Sequence, residues 1–330
     1  MYSVDDLISH LSEKHGISVD QNQIVDLRNI GYYHDYKGYR FIRSPYHRIK
    51  FTDLRQVTAL NRFDIDLKSL VYPKIMFIEN ALKSYFLESL LSDSQAHDIP
   101  SIFKKSLTNY KAYKSGSREY KKEYAKLMNL QVRINTALIR DYNQGKEIEN
   151  HFFNSDKPIP VWAVFESLTL GEFGTFFSCA NKTIRVATSK LLGLPTNLDG
   201  EGNLISFVIY ALRDLRNAVA HNGVVFDTRF RNAKINKQLK NLLERETGIT
   251  GLDFKYFDTY IVLITYIYGK MAQGTKECKS FLHEYQRICK FLQSNLDSEY
   301  FFIIHGTNHE SILTEMENYI TFGKKSTKNS

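Results

Sequence analysis

Between Leu204 and Gly223 the sequence runs LISFVIYALRDLRNAVAHNG, and the order of its apolar residues leaves little choice of local structure. Leu204, Val208, Ala211, Leu212, Leu215 and Val219 recur at steps of three and four, which predicts a helix with one buried face. The opposite side of the wheel carries Arg213, Arg216, Asn217, Ala220 and His221. Arg213, Asn217 and His221 stand one turn above the next. Arg216 lies five residues from His221, about 140° around a helix that turns by roughly 100° per residue. The two side chains flank the polar face, so a site that uses both needs a third party to close it. Asn222-Gly223 predicts the helix stop, because Asn and Gly tolerate the left-handed backbone that ends helices.

A histidine in the last turn of a helix is suited to proton transfer, and an arginine near it to steadying an anionic phosphate. Arg and His without metal ligands are the groups needed to cut RNA by attack of its own 2′-hydroxyl. The spacing alone is unspecific. With 16 Arg and 10 His in 330 residues, chance supplies about half an Arg-x4-His match. The bland alternative is a solvated helix face with a capping histidine.

Upstream segments add to the motif. Ile30–Phe41 (IGYYHDYKGYRF), Asn61–Leu70 (NRFDIDLKSL), Ile78–Phe86 (IENALKSYF) and Pro160–Phe177 (PVWAVFESLTLGEFGTFF) precede Arg216–His221 (RNAVAH). As an ordered set over Val4 to Phe226 they resemble the Abi-like (AbiD/AbiF-type) abortive-infection proteins of bacterial phage defence. The RNAVAH segment resembles the Arg-[Asn/Asp/His]-x3-His motif of HEPN domains. The resemblance implies an all-α protein with a HEPN-like helical bundle, a metal-independent endoribonuclease activity, and catalytic Arg216, Asn217 and His221. In that reading His221 moves the proton, Arg216 stabilises the pentacoordinate phosphate and Asn217 positions the motif or the scissile phosphate. It also implies a homodimer, since HEPN relatives commonly join two such helices across a twofold axis. The alternative is a non-catalytic protein that binds a structured RNA in a ribonucleoprotein or regulatory complex.

The expected organisation is a small N-terminal helical module rich in Tyr and bases (1–51), a HEPN-like helical core (52–225), a C-terminal helical extension (226–323) and a disordered basic tail (324–330). Ser3 caps a first helix to His15 with Asp6 in the capping-box position, and Gly16 stops it. A second helix follows from Asp20 to Ile30. Thr52–Leu91 predicts one long helical region bent near Pro73, and Ser92–Gly116 a loop with short helical pieces. Further helices are expected from Tyr120 to Asn143, Val161 to Ser178, Asn181 to Leu192, Arg229 to Thr247, Phe254 to Ala272, Lys276 to Leu296 and Glu310 to Phe322. Tyr300–Ile304 reads as a short strand or a helix start. Glu79 and Lys83, one turn apart, are supporting candidates with Arg213 if they approach the Arg/His helix; the alternative is an exposed ion pair.

Net charge is +8, with 21 Tyr and a pI near 9.1, which points to a polyanionic partner, RNA before membrane. Two segments interleave Tyr with bases, an arrangement that stacks unpaired bases and holds phosphates. The first contains Tyr32, Tyr33, Tyr36, Lys37, Arg40 and Arg43; its alternative is a Tyr-rich hairpin packed on the core. The second contains Lys104, Lys105, Lys111, Lys114, Arg118, Lys121, Lys122 and Lys126, among Tyr110, Tyr113, Tyr120 and Tyr124. Cys179, Cys278 and Cys289 show no paired or metal-ligand spacing, so no metal or cofactor is expected and a reducing cytoplasm is the expected compartment. No signal peptide or spanning segment is evident. Gly171 and Gly174 lack the spacing of a phosphate-binding loop.

Overall fold

The computed structural model describes residues 3–30, 37–44, 46–231 and 233–323, excepting the side chains of 233–236. The regular elements among them are helices, and extended pairing is confined to isolated bridges such as Ser18 with Asp53 and Phe41 with Arg48. The helices longer than a single turn are α1 (Val4–His15), α2 (Ile24–Ile30), α3 (Leu54–Ser94), α4 (Ile99–Lys105), α5 (Arg118–Asn143), α6 (Glu147–Asn154), α7 (Val161–Ser167), α8 (Leu170–Cys179), α9 (Lys182–Leu191), α10 (Leu204–Ala220), α11 (Ala233–Thr247), α12 (Phe257–Lys270), α13 (Thr275–Asn295), α14 (Ser298–His305) and α15 (His309–Phe322). The all-α expectation holds. The tail at 324–330 and the tyrosines 32, 33 and 36 lie outside the described residues.

Two compact units form, 1–75 with 214–330 and 76–213, so the N-terminal and C-terminal stretches of the chain share one unit. The boundaries fall inside α3 and α10.

The first unit begins with α1, whose capping box between Ser3 and Asp6 and left-handed Gly16 cap follow the expected pattern. Its part of α3 buries Val57, Leu60, Phe63, Leu67, Val71 and Ile75. Pro73 sits inside α3 without ending it, at the cost of one bond of the ladder. Helix α12 is buried from Phe257 to Tyr268. Tyr300–Ile304 is helical, not a strand, within α14. That helix ends at Gly306, whose backbone is left-handed (φ 82); a Cβ there would lie 2.8 Å from Tyr256 Cζ. Both conditions require glycine.

The second unit packs Phe86 against Phe165, Phe173, Phe176 and Phe177, with centroids 5.0–5.9 Å apart. The single helix expected from Val161 to Ser178 is two. Thr169 makes a capping box with Glu172 and starts α8 afresh, because the Thr hydroxyl and the Glu carboxylate satisfy the first amides of a new helix. Lys83 Nζ donates to the Leu168 carbonyl at this break (3.2 Å). Gly174 is a packing residue: a Cβ would fall 2.8 Å from Ile209 Cγ2 and 3.1 Å from Tyr210 Cε1. Helix α6, between α5 and the 157–160 linker, has no counterpart among the expected elements. It buries Glu149, which accepts from Ser167 Oγ at 2.7 Å.

Candidate functional site

Helix α10 buries Leu204, Val208, Ala211, Leu212 and Leu215 of its expected apolar stripe, while Val219, the last of them, is half-buried. Arg216 is half-buried and Asn217 and His221 are exposed. The helix closes where the sequence predicts. The Gly223 N–H donates to the Ala218 carbonyl at 2.7 Å, and Asn222 takes the left-handed conformation (φ 52).

The polar groups of this helix end are sparsely engaged. Arg216 Nη1 lies 3.4 Å from Asn217 Oδ1, a distance at the long end for a hydrogen bond. Its Nε is buried without a hydrogen-bond partner among the described residues. A guanidinium carries five N–H donors, and the contact of Nη1 with Asn217 spends little of that capacity, although the buried Nε is out of reach of a ligand. His221 is likewise open to solvent at the end of α10. A guanidinium can hold a phosphate and an exposed imidazole can exchange a proton, but on one helix the two side chains diverge and a second surface is needed to bring them to one phosphate.

What fixes the turn after the motif is a buried polar brace. Asp64 Oδ1 accepts from the Val225 and Phe226 amides, each at 2.8 Å. Its Oδ2 pairs with Lys68 Nζ at 2.7 Å and accepts from Tyr39 Oη at 3.3 Å. Lys68 Nζ in turn donates to Asn222 Oδ1 at 2.8 Å. Burial pushes the Asp64 carboxyl above its ordinary range, against the pull of Lys68 and the two amides. A second brace follows in the chain. Asp227, fully buried, accepts from the Arg43 amide (2.6 Å) and from Arg229 Nη2 (2.7 Å).

Neither Asp64 nor Lys68 is among the candidates that the sequence offers. The signal is nevertheless present: Asp64 occupies a core position of the stripe Val57, Leu60, Asp64, Leu67, Val71, and a carboxylate on an apolar face requires partners.

The other candidates divide between the units. Glu79 and Lys83 form an ion pair at 3.2 Å whose side chains are 5% and 14% exposed. This pair belongs to the second unit and is not the solvent-exposed bridge considered as its alternative. Arg213, also in that unit, stacks on Tyr210 (5.0 Å) and packs against Gly171. In the lysine-rich segment Lys104, Lys105, Lys111, Lys114, Arg118, Lys121 and Lys122 are exposed. Lys126 is half-buried and paired with Glu123. Tyr120 stacks on Tyr124 and Tyr110 meets both edge-on, with centroids 4.9–6.0 Å apart, so these rings pack against each other. Lys37 is exposed and Arg40 half-buried. Arg43 serves the fold: its guanidinium donates to the carbonyls of Lys255 (3.0 Å), Ile303 (2.8 Å) and Ile304 (2.7 Å).

A separate cluster is buried among α12, α13, α14 and α15. Asp258 accepts from Tyr285 Oη at 2.6 Å and lies 3.0 Å from His309 Nδ1. Burial alone would raise its carboxyl, but His305 and His309 hold it well below the usual carboxylate range. Cys289, His305 and His309 each place one donor atom within 4.8 Å of the others. The cysteines compared with one another show no metal-ligand spacing. Cys289 finds its companions instead in a His-x3-His pair 16 and 20 residues further on.

A protein-family model described as Abi-like protein matches residues 26–227. The match begins later than the resemblance at Val4 and ends at Asp227 of the second brace. It contains Arg216, Asn217, His221, Asp64 and Lys68, and it excludes the Asp258 cluster. No curated protein and no solved structure matches the chain. Among the described residues no helix is long and apolar enough to cross a membrane.

Proposed function

The chain belongs to the Abi-like protein family, the abortive-infection proteins of phage defence, and on that premise we propose that it is a HEPN-type, metal-independent endoribonuclease. The observation that carries this reading is the end of α10. Arg216, half-buried, has only a long contact with Asn217 from its Nη1, and His221 is an exposed imidazole, beside a turn fixed by Lys68 and Asp64. In the proposed reaction the RNA 2′-hydroxyl attacks the adjacent phosphorus. The 2′-proton leaves as the bond forms, and the 5′-oxygen departs with a proton. His221 handles a proton in this exchange, and Arg216 bears the charge that gathers on the phosphoryl oxygens. Asn217 positions the motif or the scissile phosphate. The products are a 2′,3′-cyclic phosphate and a 5′-hydroxyl. Incubating nucleic-acid-free protein with labelled RNA in EDTA separates this reading from RNA binding without cleavage.

RNA affinity is expected to draw on the exposed bases between Lys104 and Lys122. Changing Lys111, Lys114, Lys121 and Lys122 together to Gln should flatten the slope of log affinity against log salt. The expected change is about 0.7 to 0.9 for each phosphate that is no longer neutralised. An unchanged slope would make the segment a solvated face.

The proposal includes a homodimer. Arg216 and His221 diverge by about 140° on one helix, and a twofold pairing brings both motifs to one cleft. Specific activity should therefore fall on dilution through the dimer dissociation range, followed by light scattering. Constant specific activity in a sample shown to be monomeric would exclude a composite site.

A further inference from the structure

We propose that Cys289, His305 and His309 hold a structural zinc ion in the C-terminal part of the first unit. The three side chains come from α13, α14 and α15, all are buried, and their donor atoms lie within 4.8 Å of one another. One thiolate with two imidazoles is a borderline-soft set, suited to zinc and unsuited to magnesium or calcium, which take oxygen ligands.

His305 gives an independent indication. Its side chain is 1% exposed, yet neither ring nitrogen has a hydrogen-bond partner among the described residues. Its nearest carboxylate oxygen, Asp258 Oδ1, is 3.7 Å from Nδ1, beyond hydrogen-bond length. An imidazole always presents polar groups at both nitrogens, and buried polar groups are as a rule satisfied. A metal ion on one nitrogen supplies what the fold does not.

Asp258 orients His309, whose Nδ1 lies 3.0 Å from its Oδ1. Nε2 of that ring is thereby left for the metal, the arrangement in which a carboxylate behind a histidine fixes tautomer and ring direction. His305, with Nδ1 3.7 Å from the same oxygen, is held by no hydrogen bond among the described residues. Tyr285 Oη, 2.6 Å from Asp258 Oδ1, holds the carboxylate in turn. Charge also balances. On binding, the Cys289 thiol releases its proton to solvent and both imidazoles bind neutral, with no change of oxidation state. Zinc, one thiolate and one carboxylate then sum to zero, so no net charge is buried. The left-handed Gly306 makes the turn that sets His305 and His309 on consecutive helices around the ion. The centre would staple three helices that lie outside the matched family region.

Elemental analysis of the full-length chain, purified without chelator, tests this independently of any RNA cleavage. One zinc per chain is expected. Unfolding and refolding in cobalt should give thiolate-to-cobalt charge-transfer and tetrahedral d–d absorption. Asp258→Asn should weaken zinc affinity about 10- to 100-fold in competition with a chromophoric chelator. Cys289→Ala and His305→Phe should abolish zinc retention. Wild-type spectra answer the question even if a variant fails to fold. The proposal is overturned by a wild-type chain that takes up neither zinc nor cobalt on refolding. Zinc retained equally by folded Cys289→Ala overturns it too.

Discussion

His221→Ala is expected to lower the rate of RNA cleavage by about 10²- to 10⁴-fold, the range for a positioned proton-transfer group, while RNA binding persists. The imidazole is exposed at the end of α10, so its removal leaves no cavity and no unpaired buried group. A stability change within about 0.5 kcal/mol is expected on that ground. The separation is therefore clean: rate should collapse while the melting temperature and the binding isotherm stay put. Arg216→Ala should also lose cleavage, with some affinity, because a guanidinium binds phosphate in the ground state as well. Undiminished cleavage by His221→Ala would remove this histidine from the chemistry.

The second large effect concerns the brace. Asp64→Ala deletes the acceptor of the Val225 and Phe226 amides and the partner of Lys68. The Asp64 and Lys68 side chains are 0% and 10% exposed, so solvent does little to compensate. Removing one member of a buried ion pair costs about 3–5 kcal/mol, because the other is left charged and unpaired. Urea unfolding should show a midpoint lowered accordingly. Asp64→Asn, which keeps the shape and one acceptor oxygen, should lose less. An Asp64→Ala midpoint equal to the wild type would mean that the brace contributes nothing, and that the turn at Asn222 is held by the backbone alone.

Legibility in the sequence follows the range of the forces involved. Helix α10, its stop at Asn222-Gly223 and the α1 capping box rest on interactions within a turn or two, and three-to-four periodicity with capping chemistry reports these directly. The break between α7 and α8 is also written locally, in Thr169 and Glu172, but the apolar run across it hides the cap. Long-range partners are another matter. Arg43 reads as one more base in a basic segment, and only the fold brings the carbonyls of Lys255, Ile303 and Ile304 to it. Tyr110, Tyr120 and Tyr124 read as stacking platforms, and folding packs them against each other. Asp64 is readable in principle, as a carboxylate on an apolar stripe, although its partners 161 and 162 residues away are not. Cys289, His305 and His309 are separated by a helix end and a turn, a spacing that says nothing until three helices converge.

The most direct test of a metal-independent 2′-hydroxyl attack is the chemistry of the RNA ends. Nucleic-acid-free, full-length protein is incubated in EDTA with RNA labelled at its 5′ end, and the fragments are probed for 2′,3′-cyclic phosphate by acid opening and phosphatase treatment. Expected are fragments bearing a 2′,3′-cyclic phosphate, matched by 5′-hydroxyl partners and formed about 10²- to 10⁴-fold more slowly with His221→Ala. Fragments with 3′-hydroxyl ends that form only when magnesium is supplied would contradict the proposed chemistry, as would RNA that is bound and left whole.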